Sequence, residues 1–329
     1  MKRYTYTIMV FMGVLFCALT SFRAGGPSPR PAQRRTIRTI IIDPGHGGFD
    51  TGTKGLQITE KEVTLAVGLK LGALINDAFP DIKVVFTRTT DVMPGGGNTI
   101  ASGLRFRSDL ANKSRGDLFI AIHCDNDGHP AGPFTVHKLV GHKYVGKGKR
   151  RHRVPIYENY EGKHTRAGTE AFIWKASRTG IKGGAINEVE DGELSDSSGA
   201  SNSDSAAFDM NSPEAVMRAE LYEKKFFANS ALFATLVEDE FAKSGRNSEG
   251  VYQRDVGLHV LENTGMPSVL IETGFLSNVD EENYLMSEDG QNEIARNMLD
   301  ALKRYKATLE GHPINNVDSP STSTGTANP

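Results

Sequence analysis

Three apolar, β-branched runs stop abruptly at a polar residue: Thr39-Ile-Ile-Ile-Asp43, Leu118-Phe-Ile-Ala-Ile122 before His123, and Ser268-Val-Leu-Ile271 before Glu272. Each run predicts a buried strand. Between the first two, Val63, Val67, Leu71, Leu74 and Ala78 recur at helical spacing and predict a helix over 60–79. A short strand over 83–88 and a helix over 104–112 follow. Further helices are predicted over 213–242, after the Ser212-Pro213 start signal, and over 289–309. This alternation predicts an α/β fold with helices on both faces of a sheet.

Two stretches leave that rhythm. Residues 129–165 read as a basic loop, with Lys147, Lys149, Arg150, Arg151 and Arg153 closely spaced, and 187–209 as an acidic, serine-rich segment. Both are expected to be insertions on the sheet scaffold. The Ser/Thr/Asn/Pro-rich stretch 310–329 is expected to be disordered. At the other end Met1-Lys2-Arg3 precedes an apolar run, which reads as a secretory signal or N-terminal anchor over 1–24. A basic, proline-rich linker over 25–35 follows. The expected location is therefore periplasmic or extracellular, with no stable membrane insertion unless the N-terminal segment is retained.

Composition narrows the function classes. The 329 residues carry 38 Lys and Arg against 40 Asp and Glu, so no global excess of positive charge points to nucleic acid. The basic cluster lacks interleaved aromatics along the chain and reads as a solvated loop, so no nucleic-acid partner is expected. With only Cys17 and Cys124, a disulfide scaffold is excluded.

The candidate chemistry lies where the strands end. Asp43-Pro44-Gly45-His46-Gly47-Gly48, His123 and Glu272 each follow or close an apolar run. In open α/β sheets ligands bind outside the carboxyl ends of parallel strands, so these groups are expected to converge. A catalytic zinc takes three ligands of the His/Glu type and keeps one position open. Two glutamates compete for the third ligand at the start of the 60–79 helix. Thr59-x-x-Glu62 has capping-box spacing, which commits Glu62 to the backbone and leaves Glu60 as the ligand. Neither a P-loop nor a dinucleotide fingerprint fits the glycines around His46. Asp43 is expected to orient His46 or to cap the turn, Arg88 and Arg107 to serve structure, and Cys124 to pack into the core.

Taken together, Asp43-Pro-Gly-His-Gly-Gly48, Glu60-Lys61, Thr87-Arg88-x-x-Asp91, Arg107-x-x-Leu-Ala-Asn112, Asp117-Leu-Phe-Ile-Ala-Ile-His123 and Glu272-Thr-Gly-Phe-Leu-Ser-Asn278 resemble the zinc-dependent N-acetylmuramoyl-L-alanine amidases of the amidase 3 family. The resemblance implies one catalytic domain over 36–309 built on a mixed, mostly parallel sheet. It implies one zinc ion held by His46, Glu60 and His123, with Glu272 as the catalytic glutamate. It also implies peptidoglycan as substrate, cut between the lactyl group of N-acetylmuramic acid and L-alanine, with a protein activator as a candidate partner. Cys124-Asp125 departs from the small residue and Asn that often follow the second histidine in the family. The 187–209 segment is a candidate lid. A catalytically inactive wall-binding or scaffold protein is the rival reading, and a zinc peptidase acting within the stem peptide a third.

Overall fold

The computed structural model describes residues 36–174, 213–254 and 258–311. The expected N-terminal signal, the acidic 187–209 segment and nearly all of the 310–329 stretch lie outside the described residues.

The apolar runs form the middle of a six-stranded sheet. Strands β1 (Thr39–Pro44), β2 (Lys83–Phe86), β3 (Leu118–Asp125), β6 (Thr169–Trp174), β7 (Ser248–Arg254) and β8 (Ser268–Phe275) are ordered β2-β1-β3-β8-β6-β7. The first four in that order run parallel, and β6 pairs antiparallel with β8 while running parallel with β7. The sheet is therefore mixed and mostly parallel, as expected. Helix α1 (Glu60–Ala78) starts where the capping box places it, and α2 (Ile100–Lys113) starts earlier than the hydrophobic pattern suggests. The reason is local: the Thr99 side chain accepts the Ser102 amide at 3.1 Å and fixes the helix start there.

Long helices α3 (Pro213–Lys243) and α6 (Glu288–Leu309) follow the predicted spans within a residue, and the short α4 (His259–Glu262) and α5 (Val279–Met286) add to them. One sheet face carries Ile40, Ile42, Ile120, Ile122 and Ile271 against α1, α3 and α6. Phe119, Ala121, Leu270 and Phe172 pack on the other face against Leu104 of α2, Leu258, and Val260 and Leu261 of α4. Cys124 is buried in the first of these cores, so the expectation that it packs inward holds.

The basic stretch is not a loop. Strands β4 (Thr135–Val145) and β5 (His152–Glu161) form a separate two-stranded antiparallel ribbon inserted between β3 and β6. Most of its residues are exposed, so no core imposed an apolar face on the sequence. A register shift between Leu139 and Gly141 also reverses the alternation midway. Strands β6 and β7 were likewise not anticipated; Ala171-Phe-Ile-Trp174 is the apolar run that could have signalled β6.

Candidate metal centre

Strand order brings the predicted groups together. Strand β1 delivers the His46 loop and β3 delivers His123 beside it, while α1 starts with Glu60. One ligand atom from each of His46, Glu60 and His123 lies within 4.8 Å of the others. Glu60 Oε1 sits 3.1 Å from His46 Nε2 and 2.8 Å from His123 Nδ1. The imidazole rings meet edge-on with centroids 5.0 Å apart.

The loop owes its shape to left-handed backbone. His46 has φ 59°, Gly47 128° and Gly48 59°, a run of positive φ that folds the chain back so that Gly47 pairs with Asp50. A side chain at Gly45 would put its Cβ 2.5 Å from the His123 ring, and one at Gly52 would meet Glu60 Oε2 at 2.4 Å. These glycines leave room for the ligands themselves.

Three side chains hold the loop from below. Arg107 pairs with Asp43 and donates to Pro44 O at 2.9 Å and His46 O at 2.6 Å. Arg88 donates to Pro44 O, Gly45 O and Lys61 O, and Lys61 bonds Gly48 O and Asp91. Both arginines are thus structural, as expected. Asp43 does not orient His46: it is committed to Arg107 and to Thr87 Oγ1 at 2.5 Å. The orienting carboxylate is Asp50, whose Oδ2 lies 2.9 Å from His46 Nδ1. Its signal in the sequence was the spacing of four residues from His46, folded back by the glycines.

Glu62 is spent as the capping box predicts, accepting the Thr59 amide at 2.9 Å and hydroxyl at 2.6 Å, and it stays exposed. Glu60 is 3% exposed. Burial pushes its carboxyl up, but hydrogen bonds and charge from His123 and His46 outweigh this and hold it below the usual range. Its oxygens also accept the amides of Thr53 at 2.8 Å and Cys124 at 3.1 Å. A buried carboxylate with two imidazole nitrogens converging on one oxygen is a donor set of the type that zinc binds. The residues present therefore fit the metal.

Glu272 stands opposite His123 in the β3–β8 register. It is 5% exposed, and among the described residues nothing hydrogen-bonds its Oε2. Burial raises its proton affinity well above the usual carboxylate range, and the charges of Glu60 and Asp125 add to this. On its other side β6 places Glu170 in register with it. Glu170 pairs with Arg166, which also bonds Glu249 at 2.8 Å. This neighbouring ion group was not found in the sequence because its strand was not.

Residues 40–304 match the family described as N-acetylmuramoyl-L-alanine amidase. The chain is 29% identical over 283 residues to N-acetylmuramoyl-L-alanine amidase AmiC of Escherichia coli O6:H1, covering 86% of this chain and 56% of that protein. It is 28% identical over 276 residues to the probable amidase AmiB of Haemophilus influenzae, covering 81% and 52%. The chain thus spans about half the length of these curated relatives. Among solved structures, the CwlD amidase of Clostridioides difficile, in complex with the GerS lipoprotein, superimposes with a TM-score of 0.52 at 20% identity, covering 82% of this chain and 99% of that one. That likeness shows a shared fold. With the profile extending over most of the sequence, the chain belongs to the N-acetylmuramoyl-L-alanine amidase family, amidase 3.

Proposed function

We propose that this protein hydrolyses the amide between the lactyl group of N-acetylmuramic acid and the L-alanine of the peptidoglycan stem peptide, using one zinc ion held by His46, Glu60 and His123. The observation that carries the reading is the convergence of those three donors beside a buried glutamate, in a chain of this family. When bound, zinc supplies Lewis acidity, polarising a carbonyl and bringing the pKa of water toward neutrality. Everything else is done by the chain. Asp50 fixes the ring of His46, and the two arginines fix the loop that bears it. Glu272 takes the proton from the attacking water and passes it to the departing alanine amine. Among the described residues nothing hydrogen-bonds its Oε2, which leaves that oxygen available to take up and deliver the proton.

The apolar N-terminal run supports export to the wall, and an activating protein partner belongs to the same reading. The complete set of donors and base speaks against an inactive scaffold. Purified peptidoglycan incubated with the protein, with and without chelator, tests the proposal. Intact stem peptides with a new L-alanine amino terminus are expected, lost with chelator and restored by zinc. Fragments cut within the stem peptide would indicate a peptidase instead, and absence of release in the presence of zinc would leave the scaffold reading.

A further inference from the structure

The β4–β5 ribbon plays no part in the proposed hydrolysis. Among the described residues it pairs only with itself, and an isolated two-stranded ribbon is marginally stable in water. Between 137 and 153 it carries seven Lys or Arg and no Asp or Glu, in a chain whose net charge is −2. Its large apolar side chains are out in solvent on both faces. Leu139, Tyr144 and Tyr157 lie on one face, with Tyr144 62% exposed, and Val145, Ile156 and Tyr160 lie on the other. The turn adds Lys147, Lys149, Arg150 and Arg151, and the Arg151 guanidinium lies 4.5 Å over the Tyr144 ring.

We propose that the outer half of this ribbon docks peripherally on a bilayer rich in anionic phospholipid. The cations supply the charge complementarity, since basic residues near an anionic leaflet are drawn to it. The aliphatic side chains decide against a hydrated polyanion, which offers Leu139, Val145 and Ile156 nothing to be buried in. A bilayer interface accepts both sets: apolar side chains enter the acyl boundary, tyrosines sit at headgroup level, and the lysine stems bridge the two. Among the described residues no helix is long and apolar enough to cross a membrane. The base of the ribbon joins the strands of the metal centre, and about ten residues of strand reach about 33 Å, so docking would hold the site close to the membrane. The proposal rests on the export reading above but not on amidase activity.

The test uses the full chain carrying Cys17→Ser and an environment-sensitive fluorophore on Val145→Cys. Cys124 is buried, and burial pushes its thiol up, so it stays unlabelled. Phosphatidylcholine vesicles with and without phosphatidylglycerol are added in the absence of peptidoglycan. A blue shift is expected only with phosphatidylglycerol. Neutralising the turn with Lys147→Gln, Lys149→Gln, Arg150→Gln and Arg151→Gln should weaken partitioning by about 10²–10³-fold, at about fivefold per cation. Leu139→Ser with Tyr144→Ser should abolish the shift while the circular dichroism of the chain is unchanged. An equal shift on neutral vesicles, or one that survives the four Gln substitutions, overturns the proposal. So does tight binding of soluble polyphosphate with no shift on lipid, which would make the ribbon a polymer-binding surface.

Discussion

The metal-centre loop and the β4–β5 ribbon hang from the same sheet and follow opposite physical rules. In the loop the polar groups that shape it are committed: Asp43 to Arg107 and Thr87, His46 to Asp50 and Glu60, the carbonyls of Pro44, Gly45 and His46 to two arginines. On the outer part of the ribbon, 137–153, the charges are of one sign, and the ribbon's large apolar side chains lie in water. Buried polar groups must be matched within the chain because water cannot reach them, whereas exposed ones can wait for a partner. The difference separates a pre-organised site from a surface whose partner is elsewhere.

The largest expected effect tests whether Glu272 is part of the committed set or merely buried. Glu272→Gln keeps the shape of the side chain and removes its ability to carry a proton. Turnover on peptidoglycan should fall by about 10²–10⁴-fold while bound zinc, measured by mass spectrometry, stays at one per chain. Full activity would remove Glu272 from the mechanism. Next comes Arg107→Met, which leaves Asp43 buried without its cation. Breaking such a pair costs about 3–5 kcal/mol, to be read from the urea midpoint at unchanged slope. A loss below about 1 kcal/mol, the level of a surface pair, would mean that the loop is held by something else.

Glycine substitutions set the two regions side by side. Gly52 has φ 62° and a Cβ there would strike Glu60 and His46, so Gly52→Ala should cost about 1–3 kcal/mol and lower zinc affinity as well. At Gly141, in the ribbon, a Cβ meets nothing within 4 Å, and Gly141→Ala should stay within about 0.5 kcal/mol of the parent. Equal costs would contradict the contrast between packed loop and open ribbon. A smaller effect is expected from Asp50→Asn, which keeps the contact with His46 and removes its charge. Zinc affinity, followed by competition with a chelating dye, should fall by about 10–100-fold.

The same contrast explains what could be read from the sequence. Strands β1, β3 and β8 were legible because they are buried on both faces, which forces unbroken apolar runs. Glu60 could be separated from Glu62 because capping chemistry acts within one turn of helix. What failed depended on the path of the chain. Asp43 is nearer to His46 in sequence, but three successive left-handed residues bring Asp50 to the ring instead. The ribbon was invisible because neither face is buried, so its sequence carries no apolar and polar alternation. Read along the chain, Tyr144 is the single Phe, Tyr or Trp between 137 and 153; antiparallel pairing brings Arg153 opposite it and Tyr157 opposite Leu139.

Where the ribbon joins the sheet scaffold, one ion pair combines both rules, and it yields the smallest effect. His164, just past β5, places Nδ1 2.9 Å from Asp127 Oδ2 and Nε2 2.8 Å from Gly132 O. Ionised Asp127 and the carbonyl are both acceptors, so both ring nitrogens must carry hydrogen and the imidazole is charged when the two bonds are made. Burial lowers its pKa, but the Gly132 carbonyl and Asp127 outweigh this and raise it above 6.5. Asp127 is held below 3.8, because its bonds to His164 and the loop overcome the cost of burial. The sign follows: the His164 contribution is complete below pH 6.5 and fades as pH rises through the folded pKa, while that of Asp127 fades only as pH falls below 3.8. The clasp at the ribbon base is therefore tightest in mildly acidic solution. An NMR titration of His164 should give a midpoint above 6.5 that moves down in Asp127→Asn, with amide exchange at the ribbon base quickening above the midpoint. A midpoint at or below 6.5 in the parent would mean that the ring donates one bond only, and that the ribbon is joined to the sheet without this charge.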